Sequence, residues 1–365
     1  MKPPIPFAFV ACALAFACAA PAGAITRPST FSIVAYDSAT RELGVAVESK
    51  YFSVGSVVPW AEAGVGAVAT QAQVNASYGP QALAILRAGK APDEVMRAFA
   101  AGDSAWSFRQ LGIIDARGRV ASWTGPKCNE WAGGTTGVGF ACQGNILAGP
   151  AVVAGMAKAF RETAGELGER LIAALEAAQA AGGDKRGQQS AALLVVRPSV
   201  HHPEYAQRYV DLKVEDHATP IAELSRLWRV HQGFHGAAEH MEIAAEYDEA
   251  GRHDLAGRER ERVHQILLAA LARGERDASM LNGLAWSCAT HDLELADAAR
   301  AAERAVEIEP KSTDILDTLA EIYFRMGSFD RAIEVETRAA ALDPKSQYLK
   351  DQIARFKSGQ AAHRR

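Results

Sequence analysis

The order of apolar and polar positions divides the chain into two parts with different periods. From Thr30 to about residue 197 short alternating runs are interleaved with helical ones. "TFSIVAY" and "ELGVAVES" are β-rich and joined by Asp-Ser-Ala-Thr-Arg, a turn composition, so they predict a hairpin. "SVVPWAEA" and "GVGAVATQAQ" predict a second strand pair turning near Gly64. "GPQALAILRAG" and "APDEVMRAFAAG" have helical spacing and end at glycine. "RQLGIIDARGRVASWTG" predicts another hairpin, with Ala116, Arg117 and Gly118 near its tip. "TGVGFACQGNIL" reads as a strand running into a loop. Two helices, "AGPAVVAGMAKAFRET" and "LGERLIAALEAAQAAGG", precede "QSAALLVVRP", a buried strand. Tight connections make neighbouring strands antiparallel, and segregated helices beside such sheets indicate an α+β layered domain.

From about Thr219 onward the pattern is helical throughout. "ADAARAAERAVEIEP" and "FDRAIEVETRAAALDP" align so that Ala298 and Ala332, Ala305 and Ala339, Ile308 and Leu342, and Pro310 and Pro344 each lie 34 residues apart. That is the tetratricopeptide period, in which small residues let paired helices approach closely. Residues 244 to 256 resemble the first helix and turn of an earlier, degenerate unit. Residues 201 to 217, rich in His, Pro and charge, read as the connection between the parts.

Composition changes the picture mainly at the start of the chain. Lys2, the apolar run over residues 7 to 20 and the small Ala22-Gly23-Ala24 fit an export signal. The expected organisation is a signal peptide over 1–24, a short pro-segment over 25–29, a layered domain over 30–217 and a helical repeat domain over 218–365. The expected location is periplasmic or secreted, with no membrane insertion once the signal is removed. The formal net charge is −4, and Lys2 is the only charged residue in the signal. An acidic balance of this kind predicts no nucleic-acid partner. Cys128, Cys142 and Cys288 remain after the signal, an odd number that makes no disulfide framework. Cys128 and Cys142 can be read as a pair or as two buried thiols.

The candidate chemistry centres on Thr30. A threonine at a mature N-terminus carries both a hydroxyl and an amine that titrates near neutrality, so it can activate itself. In mid-chain, Thr30 is an ordinary strand opener. The glycine-rich residues 133 to 139 lack the Gly-Lys-Ser/Thr ending of a phosphate loop and no helix follows. The histidines, including His201 and His202, give no ligand face, so neither metal nor cofactor is expected.

Several stretches resemble the bacterial family known as domain of unknown function 1028. They are "TFSIV", "LGVAV", "GVGAVATQ", Gln143-Gly144-Asn145, and "GGDKRG" with Gln189-Ser190-Ala191. The resemblance covers residues 30 to 217. It implies an N-terminal-nucleophile (Ntn) hydrolase fold, a four-layer αββα sandwich, with Thr30 as nucleophile and its freed amine as base. Asn75, Asn145 and backbone amides near Gly144 are then the candidates to face the developing oxyanion. Gln71, Asn75, Gln143 and Ser190 would border the substrate, although Asn75 and Asn145 also read as turn residues. Arg186 could clamp a substrate carboxylate and Asp184 could orient the amine, or the two could simply pair in a turn. Lys50 reads as a charge near the nucleophile or as an exposed strand end.

This chain departs from a simple version of the pattern. Cutting before Thr30 would put Arg27 where signal peptidase needs a small residue. Autocatalytic cleavage at Ser29–Thr30, trimming by another protease and loss of the chemistry stay open. The resulting expectation is an exported hydrolase acting on a small-molecule or peptide-like amide, with an inactive scaffold that binds proteins through its repeats as the alternative. The short repeat array suits an external protein partner, homo-oligomerisation or docking on the first domain.

Overall fold

The computed structural model describes residues 30–199 and 207–364. The signal, the pro-segment, His201 and His202 lie outside these residues. Among the described residues ten strands form two sheets. The larger contains β1 (Thr30–Tyr36), β2 (Leu43–Ser49), β7 (Gly133–Gly137), β8 (Phe140–Asn145), β9 (Ser190–Val196) and β10 (Arg208–Val214), in the order β10-β9-β2-β1-β8-β7. The smaller contains β3 (Pro59–Glu62), β4 (Gly66–Ala72), β5 (Arg109–Asp115) and β6 (Val120–Thr124), in that order. All these pairings are antiparallel, and β1–β2, β3–β4, β5–β6 and β7–β8 are hairpins with short connections.

The alternation along each strand decides which layer it meets. Phe31, Ile33 and Ala35 of β1 face α3 (Pro150–Glu162) and α4 (Leu167–Ala180), packing with Val152, Met156, Leu171 and Leu175. Val34, Val45 and Val47 point the other way and meet Ala67, Ala69 and Ile114 of the smaller sheet. The outer face of that sheet, through Val68, Leu111 and Ile113, is covered by α1 (Tyr78–Arg87) and α2 (Pro92–Gly102). The layers therefore run helix, sheet, sheet, helix. Gly79 lets α1 sit on Trp60, because a Cβ there would come within 2.1 Å of the indole.

Two strands differ from the sequence expectation. Residues 133–137 form β7, an edge strand, where the sequence predicts a single strand beginning only at Thr136. Gly-Gly-Thr-Thr-Gly carries no apolar alternation, because an edge strand need not bury a face. Within the stretch read as a connection, residues 208–214 form β10. A register shift between Arg208 and Val210 breaks the two-residue period, so Tyr209 and Val210 are both buried and the alternation is lost.

The helical part begins with α5 (Pro220–His231), whose Ile221, Leu224 and Trp228 belong to the core of the sheet domain. A π-helical turn, Gln232–Gly236, joins it to α6 (Ala237–Glu249). Then follow α7 (His253–Ala272), α8 (Ala278–Thr290), α9 (Leu295–Ile308), α10 (Thr313–Arg325), α11 (Phe329–Leu342) and α12 (Gln347–His363). Ala298, Ala305, Ala332 and Ala339, the repeat-related alanines, are all fully buried in the second core. The degenerate unit expected over residues 244–256 corresponds to the end of α6, a turn, and the start of α7.

Candidate active site

Thr30 opens β1, one of the inner strands of the larger sheet. Its ladder partners are Ser49 on β2 and Asn145 on β8, and Ser49 is opposed in turn by Ser190 on β9. Four polar residues thus form a row across the head of the sheet. Thr30 Oγ1 lies 3.1 Å from Ser49 Oγ. Ser190 Oγ accepts from the Val54 amide at 3.0 Å and donates to the Tyr51 carbonyl.

The period of two then places Thr30 and Ser32 on the face that meets the smaller sheet, where a buried amide network receives them. Ser32 donates to Gln71 Oε1 at 2.6 Å and accepts from Gln143 Nε2 at 2.7 Å. Gln71 Nε2 donates to the Thr30 carbonyl at 3.2 Å and to Gln110 Oε1 at 2.9 Å. Gln110 Oε1 also accepts from Asn145 Nδ2 at 3.0 Å, and its Nε2 donates to the Gly144 carbonyl at 2.8 Å and to Thr124 Oγ1 at 2.9 Å. Each of these amides is buried, so the hydrogen bonds are what make their burial tolerable.

The structure brings together Thr30, Gln71, Gln143, Gly144, Asn145 and Ser190. It does not bring Asn75 to them. Asn75 Oδ1 accepts from the Ser77 amide and hydroxyl, and its carbonyl accepts from Tyr78, so it shapes the turn before α1. Thr70 points to the opposite face from Gln71, its hydroxyl donating to the Asn75 carbonyl. Asp184 is fixed beside the row. Its carboxylate accepts from the Lys50 amide at 3.0 Å and from the Arg186 amide at 2.8 Å, and pairs with the Arg186 guanidinium at 2.9 Å. Lys50 itself is exposed and donates to the Gln188 carbonyl.

Ser32, Ser49 and Gln110 were missed in the sequence. The available signal is a polar residue on core parity: Ser32 shares its face with Val34, and Gln110 shares its face with Ile114. Glu48 was missed too. It is fully buried, and burial, helped by Asp184 and only partly offset by the Gln189 backbone, pushes it well above the usual carboxylate range. Cys128 and Cys142 are free thiols, and burial pushes both up. Among the described residues no group of three or more His, Cys, Asp or Glu is placed to share a metal ion. Among them also, no helix is long and apolar enough to cross a membrane.

The site is closed. Thr30 is 1% exposed. Beside Asn145 a crevice of about 10 Å³, lined by Ala72, Gln73, Phe108, Lys127, Cys128 and Asn129, has room for no more than one water molecule.

Residues 30–224 match the family described as "Family of unknown function (DUF1028)". The chain belongs to this family. Residues 294–353 separately match a tetratricopeptide repeat. The crystal structure of protein SPO2555 from Silicibacter pomeroyi is similar, with 32% identity, coverage of 56% of this chain and 86% of that one, and a TM-score of 0.52. The repeat region is also matched by the first TPR domain of human RPAP3, at 15% identity, 35% of this chain, 94% of that one, and a TM-score of 0.26. No curated protein matches the chain. The DUF1028 domain thus carries the Thr30 row and the repeats form a separate helical array.

Proposed function

We propose that this DUF1028 protein is an exported hydrolase of the Ntn type, acting on an amide-like bond through Thr30 once the Ser29–Thr30 bond has been cut. The observation that supports this most is the setting of Thr30 at the head of an inner strand, flanked by Ser49 and Asn145 and braced by Gln71. In this reading the freed amine takes the proton from Oγ1 as that oxygen attacks the substrate carbonyl. The oxyanion is met by Asn145 and by backbone N–H groups near Gly144. Collapse of the intermediate breaks the C–N bond, and the leaving amine takes the proton. Water then hydrolyses the ester with the same amine as base. Asp184 and Arg186 anchor the end of β2 and so border the site, and Ser190 extends the row.

The closed state of the site fits an unprocessed chain, in which the Thr30 nitrogen is an amide and cannot act as base. The same closure favours a second reading, an inactive fold that serves as a platform for the repeats, which support a protein partner.

The N-terminal residue of protein recovered from the exported fraction separates the two. A chain beginning at Thr30 supports the hydrolase. A homogeneous population beginning at Ile25 overturns it. Thr30→Ala should abolish turnover with the fold retained.

A further inference from the structure

The sheet domain and the helical array keep separate apolar cores, one built around Phe31, Leu171 and Trp228, the other around Val263, Leu284 and Leu316. Between them lies a buried ion cluster. His240 of α6 places Nδ1 2.7 Å from Glu259 Oε2 of α7 and Nε2 3.1 Å from Glu166 Oε1 at the start of α4. Glu166 Oε2 accepts from Tyr209 Oη of β10 and from Gln232 Nε2, each at 3.1 Å. Arg197, just beyond β9, bonds Glu259 at 3.0 Å, Glu42 at 3.2 Å and Tyr247 Oη of α6 at 3.1 Å. Arg262 of α7 stands 3.5 Å from Glu166.

Both ring nitrogens of His240 face carboxylates, which accept and do not donate; the Tyr209 hydroxyl, 3.3 Å from Nε2, spends its proton on Glu166, so a ring with two protons satisfies every contact. His240, Arg197 and Arg262 then face the carboxylates Glu166 and Glu259, with Glu42, raised to about 7 by burial, on the far side of Arg197. The covalent path from α5 into α6 is the π-helical turn Gln232–Gly236, which contains Gly233 and Gly236. Single π-helical turns of this kind inside helices occur frequently at functional sites.

We propose that this cluster is a proton-dependent latch: His240 with two ring protons holds the array on the sheet domain, and loss of one lets the array pivot at Gln232–Gly236. The Glu166 and Glu259 hydrogen bonds hold the ring up to about 9 against the burial that opposes its charge. The latch is therefore complete below the ordinary histidine value of 6.5 and is lost as pH rises through about 9. Against burial, His240 and Arg197 pull Glu259 down to about 2, and His240, Arg262 and Tyr209 lower Glu166, so their share is present above 4.5 and fades only as pH falls further. The other groups turned toward the ring add negative charge on the alkaline side. Burial raises Glu239 and Glu42 to about 7, raises Glu169 and raises Tyr209 well above its usual value. Burial lowers His231, and His235 lies next to it at 5.6 Å between ring centroids. An imidazole that has lost its proton thus sits among ionised carboxylates.

Hydrogen exchange of the full chain between pH 6 and 10, corrected for the intrinsic pH dependence of exchange, tests this. Amides of α6 and α7 should lose protection by about a hundredfold toward pH 10, while α10 and α11 keep theirs. His240→Gln should show the weakened α6–α7 protection already at pH 7, with a flat pH response. Unaltered wild-type protection to pH 10, loss of α6–α7 together with α10–α11 in one step, or a folded His240→Gln that matches wild type at pH 7 would each overturn the latch. If His240→Gln does not fold, the wild-type titration decides alone.

Discussion

Gln71 reaches across the gap between the two sheets and donates to the carbonyl oxygen of Thr30 at 3.2 Å. One side-chain amide from β4 thereby fixes the first residue of β1, and the same nitrogen also reaches Gln110. Gln71→Leu should leave Ser32, Gln110 and the Thr30 carbonyl short of partners in a dry interior. The expected loss is about 2–4 kcal/mol, measured by urea denaturation. A change under half a kcal/mol would mean that the network is not what holds the sheets in register.

Asn145 faces Thr30 in the ladder, and in the hydrolase reading it stabilises the oxyanion. If cleavage at Ser29–Thr30 is autocatalytic, Asn145→Ala should slow it by about 10²–10³-fold. Mass spectrometry of purified protein over time gives the rate. Cleavage as fast as wild type removes Asn145 from the chemistry.

Glu336 of α11 is buried against Asp317, and burial, together with the charge of Asp317 and a side-chain hydrogen bond to it, raises it to about 8. A carboxyl whose folded value is raised stabilises the fold below its ordinary 4.5 and loses that contribution as pH rises through about 8. Glu336→Gln should therefore equal or exceed wild-type stability at pH 8, by on the order of 1 kcal/mol, and lose its advantage near pH 5. Denaturation curves at the two pH values check the sign. A variant less stable at pH 8 than at pH 5, relative to wild type, contradicts it.

Ala305 and Ala339 occupy equivalent, fully buried places in the two repeat units. Replacing either by Leu adds volume where α9 or α11 is already packed, at a cost of about 1–3 kcal/mol. Thermal melts followed by circular dichroism should show a lower transition for both variants. An unchanged melt would mean that close helix approach is not required there.

Gly79 has no room for a side chain against Trp60. Gly79→Ala should push α1 off the smaller sheet, lowering stability by about 1–3 kcal/mol and changing tryptophan fluorescence. Unchanged emission would place the strain elsewhere.

The sequence by itself determined the strand pairs, the helices and the two periods, because each element that buries one face must alternate or repeat to do so. It also marked Thr30, Gln71, Gln143 and Asn145, which the fold gathers at one end of the sandwich. What it could not show is partnership between distant residues. Asn75 has the same residue type as Asn145, and only the path of the chain makes one a turn residue and the other a neighbour of Thr30. β7 is legible only at its end and β10 not at all, because edge strands and bulged strands do not keep a clean period. The buried charges Glu48, His240 and Glu336 sit in sequence among ordinary helix and strand residues. Tertiary packing alone removes water from them, and with it comes the choice between neutralising a group and pairing it.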